Sequence, residues 1–212
     1  MASEETRKKI AATALQLFST RGCRAVTMDD IASELHISKR TLYETYATKE
    51  DLLAECLMTA HAEIEERHRR IYQRVEEPLL VALYMIKVNA LHNLGYRRLL
   101  DDAERYYPDI HDHYFKIHTG AFRQMIEKAL RYADQRHFLR KEADIDIAAD
   151  FICGLVQQHR MSEVDDRDAY ARWLNEVCFT FMRGLLTVDT IITYEKEEGN
   201  YHGLMQELSQ EV

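Results

Sequence analysis

Lys39 and Arg40 are the side chains in this 212-residue sequence whose placement most invites chemistry. They follow Ser38 and open the run TLYETY, whose apolar spacing is helical. Two cations at a helix N-terminus oppose the helix dipole, so the isolated element is destabilised by them. Locally unfavourable choices tend to mark function. An external anion would reverse the penalty, because the cations and the free N–H groups of the first turn would attract it together. With Arg40 set at 0° and about 100° added per residue, Leu42 falls at about 200° and Tyr46 at about 240°, on the side of Ile31, Leu35 and Ile37. Arg40, Thr41 and Glu44 fall on the opposite face, flanked by Tyr43 and Thr45. A guanidinium, a carboxylate, two hydroxyls and a phenol can bind phosphate or meet base edges. The plainer reading of Lys39 and Arg40 is a solvated helix start. Glu44 has two readings, an acceptor for cytosine N4 or an intrahelical partner of Arg40 worth about 0.3 kcal/mol.

The elements that must hold this face are legible. Helices are predicted over about 28–35 and 39–46, separated by His36, Ile37 and Ser38, the spacing of a helix-turn-helix. Thr27, Ser38 and Thr48 each precede a helical pattern, and each hydroxyl can accept from a first-turn N–H, worth about 1 kcal/mol. Asp29, Asp30, Glu50 and Asp51 suit the dipoles of the helices they begin. Ahead of them Ile10, Ala14, Leu17 and Phe18 form one apolar stripe, closed by Gly22 as a left-handed cap. His36 occupies the turn, where a positive φ is tolerated at modest cost.

The stretch TMDDIASELHISKRTLYETYATKEDLL resembles the DNA-binding domain of the TetR family of bacterial transcription regulators, and ETRKKIAATALQLFSTRG resembles that family's first helix. The resemblance spans residues about 4–57. It implies phosphate contact by Thr27, base and backbone contact by Ser38, Lys39, Arg40 and Thr41, a phosphate or base contact by Tyr43, and phosphate contact by Lys49. Tyr46 matches a position commonly filled by Phe and is expected in the core. Thr45 stands where relatives often carry an aromatic residue or His.

The rest of the chain is read as helical. Seven Gly and two Pro are too few for a sandwich or barrel. The fold class expected is all-α: a helix-turn-helix domain over 1–48 and a larger effector-binding and dimerisation domain over 49–212. A long helix is predicted over 49 to about 74, with Pro78 and Pro108 as boundaries. Helical patterns follow over 79–91, 144–160 and 170–194, the last too apolar for one buried face. The resemblance implies that the last two helices form a four-helix dimer interface, with Phe151, Leu155, Trp173, Phe181, Leu185 and Val188 as candidates. It also implies a small-molecule pocket between central helices, for which Tyr84, His92, Tyr96, Tyr106 and Tyr107 are candidates; ordinary core packing is their other reading. His111, His113 and His118 lack the i, i+4 spacing of a helical metal pair, so no metal and no cofactor are expected.

The formal net charge of −8 argues at first against a nucleic-acid partner. Its distribution weakens that objection. Residues 1–50 hold eight Lys/Arg against seven Asp/Glu, and the remainder holds twenty against twenty-nine. Four cysteines without a Cys-x-x-Cys spacing read as small buried apolar residues in a reducing compartment. No secretory signal and no membrane span are expected, so the location expected is the cytoplasm. The function expected is that of a DNA-binding regulator, a repressor acting as a homodimer on a pseudo-palindromic operator and released by a small effector. Alternatives are a helical dimeric protein-interaction module or an all-α enzyme. The enzyme reading has no nucleophile elbow, P-loop or metal-ligand spacing to support it.

Overall fold

The computed structural model describes residues 4–74, 86, 89, 92–158 and 167–192. Named helices among them are α1 (Glu4–Arg21), α2 (Met28–Glu34), α3 (Lys39–Thr45), α4 (Lys49–Arg74), α5 (Arg97–Tyr106), α6 (Pro108–Gln135), α7 (Ile145–Gln158) and α8 (Arg167–Leu185). The expected all-α class is what the chain adopts. It divides into two compact units, residues 1–66 with 95–118, and residues 67–94 with 119–212.

The first unit is built on the α1 stripe. Ile10, Ala14, Leu17 and Phe18 are buried, and with Ile31, Leu42, Tyr46, Leu52, Leu53, Leu57, Leu99 and Ala103 they form one core. Helix α1 packs against α2 and α5, and α2 packs against α3. Two short helices of seven residues each are too short to be stable alone. Burying Ile31 and Leu42 completely is what fixes them, at roughly 1.5–3 kcal/mol for each side chain. Gly22 ends α1 at φ +86°, and its N–H donates to the Phe18 carbonyl at 2.9 Å. Pro108 takes the first position of α6, where its missing N–H costs nothing.

In the second unit Phe122, Ile126, Leu130 and Ala133 of α6, Ala148, Ala149 and Ile152 of α7, and Met182 and Leu185 of α8 are buried. Arg123 pairs with Asp150 at 2.7 Å and Glu127 at 2.9 Å, while Arg131 reaches Glu127 at 2.7 Å and Asp146 at 3.2 Å. These exposed pairs fix α7 beside α6 more than they stabilise it.

Expectation and structure differ at the last helical pattern. The apolar content of 170–194 reads as one helix, but α8 ends at Leu185 and helix resumes over 188–192. Leu186 forms an isolated antiparallel bridge with Leu139. The Arg140 N–H donates to the Leu185 carbonyl and the Thr187 N–H to the Phe138 carbonyl, both at 2.9 Å. Thr187 then caps the next turn, accepting from the Thr190 N–H at 3.3 Å. Backbone partners 47 residues away outweigh a local apolar pattern. Of the pattern over 79–91, Ile86 and Asn89 are described, both helical and buried; Pro78 and Tyr84 lie outside the described residues. No described helix is long and apolar enough to cross a membrane.

Candidate nucleic-acid interface

Three hydroxyl caps define the helix-turn-helix. Thr27 caps α2: its Oγ1 accepts from the Asp30 N–H at 3.1 Å, and its own N–H donates to Asp30 Oδ2 at 2.8 Å. The Thr27 hydroxyl also donates to that carboxylate at 2.6 Å, and this reciprocal box holds the Asp30 carboxyl below the usual carboxylate range. Ser38 caps α3, accepting from the Thr41 N–H at 3.0 Å, with the two hydroxyls 2.8 Å apart. Thr48 and Asp51 form the same reciprocal pair at the start of α4. The turn between α2 and α3 runs through His36 at φ +53°, with the Ile37 N–H donating to the Ala32 carbonyl at 3.0 Å.

This scaffold turns one face of α3 inward and one outward. Leu42 is fully buried and Tyr46 nearly so. The Tyr46 hydroxyl donates to the Arg7 carbonyl at 3.3 Å, and the Arg7 guanidinium lies 4.7 Å from the ring centroid. Burial pushes the Tyr46 phenol up to about 12. Ser38, Lys39, Arg40, Tyr43 and Glu44 are exposed, and Thr41 and Thr45 half-buried. Tyr43 shows about half its surface, 49%. Thr45 Oγ1 donates to the Thr41 carbonyl at 2.8 Å, a local bond that uses its hydrogen. Thr27 is exposed as well, and Lys49 is half-buried with its ammonium 5.9 Å above the Phe18 ring.

The two cations that open α3 are both met by carboxylates. Arg40 Nε donates to Glu44 Oε1 at 2.7 Å within the helix, so in this structure Glu44 takes the intrahelical alternative. Lys39 Nζ donates to Asp29 Oδ2 of α2 at 2.5 Å. The Asp29 hydrogen bond and charge raise the Lys39 ammonium above its ordinary range.

Residues 10–56 match the model of the bacterial regulatory proteins of the tetR family, and those residues include the whole capped helix-turn-helix just described. That segment is a TetR-family DNA-binding domain. The chain is 27% identical over 150 residues to the HTH-type transcriptional repressor KstR2 of Mycobacterium tuberculosis, an overlap covering 69% of this chain and 75% of that protein. The solved KstR2 structure superposes with a TM-score of 0.62 over 88% of this chain and 97% of that one, at 19% identity. A TetR-family regulator from Pectobacterium atrosepticum superposes at 0.69, with 24% identity over 87% and 95% of the two chains. A gamma-butyrolactone receptor, an ArpA-like protein, superposes at 0.66, with 22% identity over 99% and 98%. These likenesses carry the fold through the second unit, where the family model does not reach. A chain with this helix-turn-helix is a DNA-binding transcriptional regulator.

The residues of the sequence-predicted DNA face thus gather around α3 and the starts of α2 and α4. Four of the five pocket candidates are described. Tyr84 is outside the described residues, and His92 is buried in the second unit. Tyr96, Tyr106 and Tyr107 belong to the first unit. The Tyr96 hydroxyl donates to Glu63 Oε2 at 2.5 Å. Tyr106 lies 4.3 Å beneath the Arg24 guanidinium, which also donates to its hydroxyl at 2.5 Å. Tyr107 packs on the first unit's core, and its phenol is raised mainly by burial. Tyr96, Tyr106 and Tyr107 do not line an open cleft of about 430 Å³ in the first unit, whose wall includes Arg7, Asp51, Glu55, Met58, His113 and Tyr114.

The dimer candidates separate by exposure. Phe151 and Val188 are exposed, Val188 by 70%; Leu155, Trp173 and Phe181 are half-buried, and Leu185 is core. Phe151 and Phe181 stack at 4.3 Å. Ile147 and Ile192, exposed by 68% and 45%, extend the apolar surface of the second unit beyond the predicted set.

Asp29 and Asp102 make contacts in this unit that the sequence reading did not anticipate. Asp102 of α5 accepts from the Arg24 N–H at 2.9 Å, and Arg98 donates to the Thr20 carbonyl at 2.7 Å, so α5 grips the turn that ends α1. A partner 78 residues away leaves no periodic signal. The acidic pattern of α2 gave Asp29 a dipole role and hid its bond to Lys39.

Proposed function

We propose that this regulator is a repressor that binds a pseudo-palindromic operator as a homodimer and is released when a small organic effector binds. The observation that carries the DNA-binding half is the exposed face of α3, with Lys39 and Arg40 at a hydroxyl-capped N-terminus and Tyr43 beside them. Residues 1–48 would meet DNA, through Thr27, Ser38, Lys39, Arg40, Thr41, Tyr43, Glu44 and Thr45, joined by Lys49 at the start of α4, and the rest of residues 49–212 would take effector and partner. One seven-residue recognition helix supplies few contacts, whereas a two-fold dimer presents two, spaced by about one turn of DNA. Phe151, Phe181 and Val188 supply apolar surface for that dimer. For the effector, KstR2 is described as a ketosteroid transcriptional regulator and another relative as a gamma-butyrolactone receptor. Both descriptions favour a small organic ligand here, and buried His92 is the pocket candidate we retain. Release requires a coupling of about 1–3 kcal/mol between the two ligands, equivalent to about 5–150-fold in DNA affinity.

Titration of duplex binding against salt tests the DNA half. Affinity should fall linearly in log salt. Lys49→Ala should weaken binding evenly across sequences, whereas Arg40→Ala should also relax preference at one base pair. A flat salt dependence would favour the protein-interaction alternative.

A further inference from the structure

We propose that Asp29 is a positioning residue for DNA binding: its carboxylate holds the Lys39 ammonium across the helix-turn-helix and competes for it with DNA phosphate. This rests on the DNA-binding reading of α3 given above.

Lys39 is the first residue of α3, and Asp29 is the second of α2, ten positions earlier. The turn at His36 brings their side chains to 2.5 Å. Both remain largely exposed, 66% for Lys39 and 53% for Asp29, so water and DNA can reach the pair. An exposed pair of this kind is weak, about 0.2–1 kcal/mol, which makes it breakable by a phosphate. Folding of the unit does not depend on it, because α2 and α3 are already fixed by buried Ile31, Leu42 and Tyr46 and by the caps at Thr27 and Ser38. The Asp29 carboxylate is also not part of the α2 capping box, which uses Asp30.

What the pair does is occupy the cation at the place where a phosphate would bind. Exposed Lys39 and Arg40 side by side would attract any polyanion, and here each cation arrives at DNA with a carboxylate already attached. Binding through Lys39 must break the bond to Asp29 and leave that carboxylate facing the DNA backbone. With the carboxylate in place, Lys39 contributes less than a full counterion-release step.

A random-sequence duplex is the appropriate probe, since no operator needs to be known. Asp29→Asn keeps the shape and removes the charge. Its affinity for the duplex should rise about 2- to 5-fold near 0.1 M salt, with a steeper dependence on log salt, and thermal unfolding should be nearly unchanged. The deciding measurement is the double-mutant cycle with Lys39→Gln. Competition for Lys39 requires that the gain from Asp29→Asn vanish when Lys39 is absent. A gain of equal size in the Lys39→Gln background would mean that Asp29 merely repels DNA, and the inference fails. Weaker binding together with a lowered Tm would make the pair a structural clamp, which also overturns it. Wild-type protein with no salt-dependent duplex binding sinks the DNA-binding reading itself, a result separable from either outcome.

Discussion

At the residue scale, burial sets the chemistry of the groups outside the DNA face. His118 is 5% exposed, stacks on Tyr114 at 5.3 Å, and has its Nδ1 3.4 Å from that of His61. Burial, reinforced by His61, pushes the His118 imidazole down from 6.5 to about 4. Between those values the unfolded chain holds a proton that the folded one does not. The stability from neutral His118 is therefore complete above about pH 6.5 and is lost as pH falls towards 4, by about 3 kcal/mol. His118→Phe keeps an aromatic ring against Tyr114 and removes the titration, so denaturant unfolding of that variant should be flatter over this window than wild type. An equally steep profile would assign the acid sensitivity to other groups. The sequence placed His118 beside His111 and His113 without distinguishing them. Facing neighbours on other helices make the difference, and one chain's spacing does not carry them. The α3 face was legible because it is decided by rotation within one helix. The Tyr96, Tyr106 and Tyr107 contacts were not, since they depend on where α5 lands.

At the element scale, turns and caps were the most readable features, because they are governed by two or three adjacent residues. Gly22, Thr27, Ser38, Thr48 and Pro108 each stand at the boundary their chemistry requires. The failure at Leu186 has the complementary cause, a backbone pairing with Leu139 that no local pattern encodes. Gly22 joins both kinds of information. Its left-handed φ of +86° was foreseeable, whereas its closeness to Asp102 was not: a Cβ there would collide with the Asp102 carboxylate. Gly22→Ala should cost about 1–2 kcal/mol from backbone strain alone, and more from displacing Asp102 from the Arg24 N–H. Chemical denaturation should show a loss of at least that size, with DNA affinity reduced as the α1–α2 turn shifts. A fall below about 0.5 kcal/mol would mean that the turn absorbs the methyl group and that α5 does not constrain it.

At the scale of the whole molecule, the unevenly placed charge and the unevenly placed apolar surface describe a division of work. The first fifty residues are close to neutral and carry the exposed cations of α3, while the acidic excess lies after them. Among the described residues, the second unit leaves Ile147, Phe151, Val188 and Ile192 exposed, Ile147 and Val188 the most of all the large apolar side chains. Exposed valine and isoleucine at 70% and 68% gain roughly 1.5–3 kcal/mol each when covered. If they form the dimer contact we propose, charges placed there act twice, once in each protomer. Val188→Asp combined with Phe151→Asp should convert the protein to a monomer in sedimentation at micromolar concentration. Its Tm should fall, since Phe151 leaves its stack on Phe181 and the monomer lacks the stability that association supplies, while the helical circular-dichroism signal is kept. Each freed monomer would still offer one complete α3 face, so it should keep weak, salt-dependent binding to random duplex. It should lose most of its affinity for a two-half-site operator, because the second recognition helix is no longer tethered to the first. A variant that stays dimeric would move the interface away from Phe151 and Val188. A monomer that binds the operator as tightly as wild type would show that dimerisation contributes nothing to recognition.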